Sequence, residues 1–385
     1  MPPRYQVRIK NTAGVQTALL TEWKRLEYTL RVNAPHSHVL LLGKAQNVVA
    51  AEFVLDAQVE VWRSDLAIGL TPYLDYEGFH RTPVEQTTAS GDVLFTSYGQ
   101  GYMDLLARRA ILYPAGSAYV AKSGPGETVV KSYVDENAGP AATDPPRLAD
   151  GVTAGLSIAA DTAGGTAWEG SRAWRNLLEV CQEIADAARV DCSVVGTGPA
   201  TFVFDAVPWP IGEDRSTVGL DPTTGLNTAG NAPVVFAVGF GNMAEPVYSL
   251  NRTNEVNVVA ALGQGLESAR EVAIVSDAPA VAASPWNRRE ATRNANTEAE
   301  TAGLEAAAEA VLHDLKAASS FSFRVMQTAA SRYGRDYRCG DVVTARYSSP
   351  SGSVERHYQI TAVTVVVAEG HEDITVEVTN ATVAS

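Results

Sequence analysis

Residues 101–139 read GYMDLLARRAILYPAGSAYVAKSGPGETVVKSYVDENAG, and helical spacing first enters the chain here. Tyr102, Leu105, Leu106 and Ala110 recur at the spacing of one helix face. Pro114 ends that pattern, because proline fixes φ and has no amide proton to donate. Thr128 is placed to cap a second short helix through Val129, Val130, Tyr133 and Val134, and Asn137-Ala138-Gly139 stops it. The stretch therefore marks a passage from one β domain into a region that contains helices.

Upstream of it the two-residue period of half-buried strands dominates. Tyr5, Val7 and Ile9 alternate with Arg4, Gln6, Arg8 and Lys10, and Leu26, Tyr28, Leu30 and Val32 repeat the pattern. Val59 and Val61 alternate with Gln58, Glu60 and Trp62. His38 to Leu42 is a short apolar run, and Gly78–Thr88 and Asp92–Tyr98 read as further strands. Asn11, Asn33-Ala34-Pro35 and Ser90-Gly91-Asp92 punctuate them, so close-spaced short strands predict a barrel or a sandwich.

Downstream, residues 140–170 are rich in Pro, Ala, Gly, Thr and Asp and read as loop, with Arg147 and Leu148 opening a return strand. Ser171 is placed to cap the clearest helix, whose apolar stripe is Trp174, Leu177, Leu178, Cys181, Ile184, Ala185 and Ala188. Strands Cys192–Val195 and Thr201–Asp205 follow, around Gly196-Thr197-Gly198-Pro199, and helix plus hairpin make a small α/β or α+β domain. Residues 208–254 are turn-rich, with the apolar run Val234–Val238 inside them. Val256, Val258 and Ala260 alternate, and Glu271–Val275 can pair with them across Gly263-Gln264-Gly265. Pro285 opens a long helical stretch from Arg288 to Ala317, with Leu304, Ala308, Val311, Leu312 and Leu315 on one face. Strand patterns return at Ser322–Met326, Asp341–Tyr347, Glu355–Val367 and Ile374–Val378.

Composition narrows the class. A chain of 385 residues predicts two to four domains with sizeable cores, and 45% hydrophobic with 19% charged residues predicts a folded protein. No apolar run is long enough to span a membrane as a helix, and MPPRYQVRIKN enters a strand pattern with no apolar signal core. The net charge of −14 argues against adhesive binding of nucleic acid, which needs a basic footprint. It still allows a surface past which DNA slides without sticking. Three cysteines, Cys181, Cys192 and Cys339, give neither a disulfide framework nor zinc spacing, and predict a reducing compartment.

No catalytic, cofactor-binding or metal-binding residues stand out, and no cofactor is expected. His36 and His38 point to one side of a strand and could hold a metal, but no third ligand is in sight. Gly196-Thr197-Gly198 and Gly263-Gln264-Gly265 resemble pieces of phosphate loops, yet strands rather than helices follow both, so they read as hairpin turns. Arg108 and Arg109 could bind an anion, with stem packing and solvation as the bland alternative. Asp214 and Asp221 could hold a cation, although capping and turn formation use such residues more often.

The order and spacing of several segments resemble the hub, or tail-tip, proteins of long-tailed bacteriophages. The set comprises WKRLEYTLRVN at 23–33, Val59 to Arg63, the helix and arginine within Gly101–Leu112, KSYVDENAG at 131–139, and the amphipathic segment Trp174–Ala188. It continues with Gly241-Asn242-Met243, the strand Asn254–Val259, and the glycine-aspartate turn at Cys339–Val343. The resemblance implies an α+β, β-rich chain. Residues 1–110 would form one tube-like antiparallel β-barrel domain, 111–207 an α/β domain, and 208–385 a second tube-like barrel with the long helix near 288–317. It implies a non-enzymatic virion protein made in the host cytoplasm. As a homotrimeric baseplate hub it would cap the tail tube, match six-fold to three-fold symmetry and line the DNA ejection channel. Its implied partners are the tail tube or distal tail protein, the tape measure protein, the tail-tip or receptor-binding proteins, and DNA passing through the lumen without sequence-specific binding. The acidic balance separately predicts that this lumen carries net negative charge. The competing reading is a carbohydrate-binding or cell-wall-degrading tail-tip enzyme with two carboxylates across a cleft.

Overall fold

The computed structural model describes residues 3–112, 120–144, 147–295, 301–316, 318–349 and 352–380. The chain divides into two compact units, Met1–Pro246 with Phe323–Ser385, and Val247–Ser322. The protein is α+β and β-rich.

The first unit begins with β1 (Arg4–Lys10), β2 (Gln16–Leu20), β3 (Arg25–Arg31), β4 (Ser37–Leu42), β5 (Gln58–Asp65), β6 (Leu70–Thr87) and β7 (Val93–Gly101). Alternation works as expected in β1, which buries Tyr5, Val7 and Ile9. In β5 it fails, because Gln58 and Glu60 are buried as well as Val59 and Val61. Glu60 is tolerated there because it pairs with Lys10 and accepts the Trp62 indole N–H at 2.9 Å.

Next come α1 (Asp104–Ala107), β8 (Val120–Pro125), α2 (Gly126–Asn137), β9 (Leu156–Ile158), β10 (Ala167–Arg172), α3 (Leu177–Ala188), β11 (Val190–Gly198) and β12 (Thr201–Pro208). α2 and α3 bury Val130, Tyr133 and Val134 against Leu177, Cys181 and Ile184, with Phe204 from β12 in the same core. The expected hairpin is present as β11 and β12, antiparallel, and β9 adds to β12 in parallel.

Several local expectations in this stretch are corrected. α1 is a single turn: Ala110 leaves it and bridges Asn176. Pro114, expected to end that pattern, lies outside the described residues. α2 starts at Gly126 and its N-terminus has no side-chain cap, while Thr128 donates to Asp161 at 2.7 Å. Its stop is as read, with the Gly139 N–H on the Val134 carbonyl at 2.8 Å. Ser171 does not cap α3, because it is taken up in β10 opposite Ala121. Asn176 caps it instead, accepting from the Leu178 and Glu179 N–H groups, and Trp174 stands outside the helix at φ 50 and 62% exposed. Arg147 and Leu148 open no strand; Arg147 is buried and Leu148 exposed.

The chain continues through β13 (Asp214–Arg215), β14 (Val235–Ala237), β15 (Met243–Asn251), β16 (Val258–Leu262), β17 (Val272–Ser276), α4 (Ala278–Ala282), β18 (Glu290–Asn294) and α5 (Thr301–Asp314). It ends with β19 (Ala318–Val325), β20 (Val342–Ser349), β21 (Gly352–Ala368) and β22 (His371–Asn380). In the second unit β16 and β17 pair antiparallel across the Gly263–Gly265 turn, as expected. The long helix expected from Arg288 to Ala317 is not continuous. Glu290–Asn294 is strand β18, parallel to β16, so sheet pairing overrides helix propensity at those polar residues. α5 keeps the later half, and Leu304 and Ala308 pack on Val259, Ala261 and Ala273. Ala317 lies outside the described residues.

Among the described residues the main sheet has 14 strands, with a path β15-β19-β22-β21-β3-β4-β7-β6-β5-β1-β2 and with β20, β13 and β14 joined beside β21. Its N-terminal and C-terminal strands meet at one seam, β3 against β21, in register from Arg31↔Ala362 to Arg25↔Ala368. Among the described residues no sheet closes into a barrel.

Candidate functional site

The interior of the first unit carries a polar network where nonpolar packing would be expected. Arg63 on β5 is fully buried and donates from Nη2 to both Glu372 oxygens, at 2.9 and 3.1 Å. Its Nε also reaches Tyr5 Oη at 3.0 Å, and Nη1 reaches the Tyr333 carbonyl at 3.2 Å. Asp75 on β6 accepts from the hydroxyls of Tyr28 and of Tyr333, the latter at 2.8 Å. β5 and β22 are not neighbours in the sheet, so these contacts cross its curled interior. Burial raises the pKa of Asp75 and of Glu372, against the pull of their partners.

A cavity of about 250 Å³ adjoins this network, lined in part by Tyr73, Asp75, Glu77, Tyr102, Tyr333 and Arg338. Arg338 is stacked over Tyr73 and donates to the Gly334 carbonyl at 3.0 Å. Glu77 also faces the cavity, and its Oε1 accepts the Gly196 N–H at 2.7 Å. A Cβ at Gly196 would stand 2.8 Å from Glu77 Oε2, so a larger residue there would push the carboxylate aside. Burial pushes Glu77 up to about 7, so it can exchange a proton at neutral pH. Ser97 Oγ lies 2.7 Å from His80 Nδ1 and 3.1 Å from His38 Nε2, but all three are buried and none lines the cavity. The described residues hold no group of three His, Cys, Asp or Glu spaced for a metal ion.

The residues singled out in the sequence are not gathered at the cavity. His38 holds Tyr76 Oη at 2.8 Å and Ser97 Oγ at 3.1 Å with its two ring nitrogens, whereas His36 accepts the Arg31 N–H at 3.0 Å. Burial pushes His38 down to about 3 and His36 to about 4. Of the two histidines His36 lines the cavity, and of the three cysteines Cys192 and Cys339 do. Arg108 pairs with Asp56 and Asp104 and stacks on Phe79, while Arg109 turns the other way, to Thr153. Asp221 accepts from the Thr223 N–H at 2.8 Å and the Thr224 hydroxyl at 3.1 Å, as a turn residue does. Asp214 accepts the Ser216 N–H at 2.8 Å. Cys181 is buried in the α3 core, and burial pushes its thiol up to about 12.

Sequence reasoning missed Arg63, Asp75 and Glu372. Two of them carried a readable signal. Continuing the inward period of Val59 and Val61 by one step lands on Arg63, and stepping back from Ile374 lands on Glu372.

Residues 6–379 match the family model of the Siphovirus ReqiPepy6 Gp37-like protein. The tail protein from Neisseria meningitidis MC58 shares the fold at TM-score 0.58 and 12% identity, covering 98% of this chain and 96% of that one. The prophage MuSo2 43 kDa tail protein from Shewanella oneidensis does so at 0.58 and 10%, covering 98% of each. The prophage tail protein gp18 from Listeria monocytogenes EGD-e follows at 0.51 and 11%, covering 97% and 94%. No curated protein sequence matches the chain. The chain belongs to the Siphovirus ReqiPepy6 Gp37-like family, and its fold is one shared with bacteriophage tail proteins.

Proposed function

We propose that the protein is a structural component of the virion tail tip, a homotrimeric hub that caps the tail tube. It joins six-fold tube symmetry to a three-fold tip and contributes to the channel through which DNA leaves.

One observation supports this above the others: the main sheet divides evenly at the seam between β3 and β21. β1 to β7 lie on one side, and β13, β14, β15, β19, β20, β21 and β22 on the other. Each chain therefore brings seven strands from each end of its sequence. In this reading residues 1–110 and 208–385 each supply a tube-like module, and residues 111–207 supply an α/β domain between them. Three copies of two modules present six positions to a six-fold ring. Joining the modules of adjacent copies also covers open strands that would otherwise template aggregation. The net charge of −14 suits a wall that repels phosphate, so DNA passes without base-specific contact. The partners in this reading are the tail tube or distal tail protein, the tape measure protein and the receptor-binding proteins of the tip.

Light scattering on the purified chain tests it. A mass three times that of the chain supports the hub. A monomer that also clears cell-wall material in a zymogram contradicts it in favour of a degrading enzyme.

A further inference from the structure

Arg109 and Arg147 are brought to one seam. Arg147 Nη2 donates to the Ala110 carbonyl at 3.2 Å, and Arg109 Nη2 donates to Thr153 Oγ1 at 3.1 Å. The two side chains thus reach across the same seam, between residues 109–110 and 147–153. Arg147 is only 7% exposed, and Gly151 lies so close that a Cβ there would stand 1.4 Å from Nη1. Among the described residues neither guanidinium forms an ion pair, and the Nε of each is buried without an acceptor. Arg172, Arg215, Arg324 and Arg332 also bury an Nε, and the first three reach a carboxylate through another nitrogen.

The flanking segments 113–119 (YPAGSAY) and 145–146 (PP) contain no acidic residue to supply the missing charge. Asp150 is the acid felt at Arg147, but the two form no ion pair, and Asp150 Oδ1 accepts the Val152 N–H at 3.0 Å. Burial, and then the positive charge of Arg109, disfavour the charged form of Arg147. A buried cation with unsatisfied N–H groups is costly, and such groups in native proteins ordinarily have an acceptor. The planar fork of a guanidinium matches the oxygens of a carboxylate or a phosphate.

We propose that Arg109 and Arg147 together bind one oxyanion, a carboxylate or a phosphate group, at the seam between residues 109–110 and 147–153. The site is independent of the hub assignment and stands or falls separately from it.

Thermal unfolding of the purified full chain tests the site, with sodium phosphate, sodium acetate and sodium chloride compared at matched ionic strength. Phosphate or acetate is expected to raise Tm saturably, by about 2 °C or more beyond chloride. A response to phosphate alone identifies a phosphate group, and a response to acetate as well identifies the carboxylate of a chain. Arg109→Gln is the deciding variant, because Arg109 is the half-buried member and its loss leaves Arg147 packed on Gly151. It is expected to abolish the difference from chloride. Equal Tm in all three salts, or a response undiminished in Arg109→Gln, overturns the proposal and leaves an adventitious ion only.

Discussion

Arg63 of β5 and Glu372 of β22 meet as a buried ion pair, Nη2 to Oε1 at 2.9 Å, with side chains 0% and 9% exposed. The pair links the N-terminal half of the main sheet to the last strand of the chain. Tyr5, Tyr73 and the Tyr333 carbonyl take up further guanidinium N–H groups, so the buried charge is well satisfied. Removing one partner strands the other in a low dielectric. We expect Arg63→Met and Glu372→Leu each to cost about 3–5 kcal/mol in urea titrations, and the double variant to cost less than their sum. Additive losses would mean that the two charges do not depend on each other.

Glu77 sets a pH dependence of unusual sign for a carboxylate. Its folded pKa is raised to about 7 from an ordinary 4.5, so the native chain holds a proton that the unfolded chain has released. Its contribution to stability therefore falls as pH rises from 4.5 to 7 and is flat above that. Glu77→Gln keeps an acceptor for the Gly196 N–H and removes the buried charge. We expect it to stabilise the protein at pH 8 by on the order of 2 kcal/mol, and to change little at pH 5. Equal effects at both pH values would place the Glu77 proton elsewhere.

The buried histidines act in the opposite direction. His38 is lowered to about 3 and His36 to about 4, from 6.5, so below pH 6.5 the unfolded chain takes up protons that the native chain refuses. Stability from these groups is present above 6.5 and is lost as pH falls toward their folded values. In the parent protein Glu77 offsets part of this loss. In Glu77→Gln the loss should be unmasked, with a urea midpoint that drops more steeply between pH 7 and pH 5. Parallel pH profiles for the two proteins would contradict this.

Glu127 holds a loop through hydrogen bonds. Its carboxylate accepts from Lys131 Nζ at 2.6 Å, from the Thr162 N–H at 2.8 Å and hydroxyl at 2.6 Å, and from the Gly164 N–H at 2.8 Å. Burial alone would raise its pKa, but these donors bring it down to about 2. Glu127→Ala leaves the Thr162 and Gly164 donors without this acceptor, and leaves Lys131, among the described residues, with Asp205 alone as its charge partner. We expect a loss of about 3 kcal/mol and faster amide exchange at Thr162 and Gly164. Unchanged exchange at those two amides would show that the loop is held by other contacts.

The strands were legible wherever one face is buried, because inward alternation is then a property of adjacent residues. β1, β3, β12 and β22 follow from it, whereas Val342 to Ala345 of β20 and Val190 to Cys192 of β11 are buried without a break. Helix ends were less legible, since Ser171 and Thr128 are good caps in isolation and lost that role to strand pairing and to Asp161. β18 was hidden for a related reason: Glu290 to Asn294 are mostly polar, and only their partner β16 makes them a strand. The polar interior was hidden differently. Arg63 and Glu372 are 309 positions apart, and no local pattern says that two charges will share one interior. The inward phase of each could be read, and the pairing could not. Likewise Arg108 and Arg109 were visible as cations, but Arg147 as companion to Arg109 emerges only from the fold.

The central claim is that the two sheet halves of one chain occupy equivalent positions around a ring. Cryo-electron microscopy of the purified protein measures this directly. The account predicts a ring of three copies around an open centre, with six similar β modules facing the lumen. A solitary molecule, or a ring in which the strands before residue 110 and those after residue 208 lie at different radii, would contradict it.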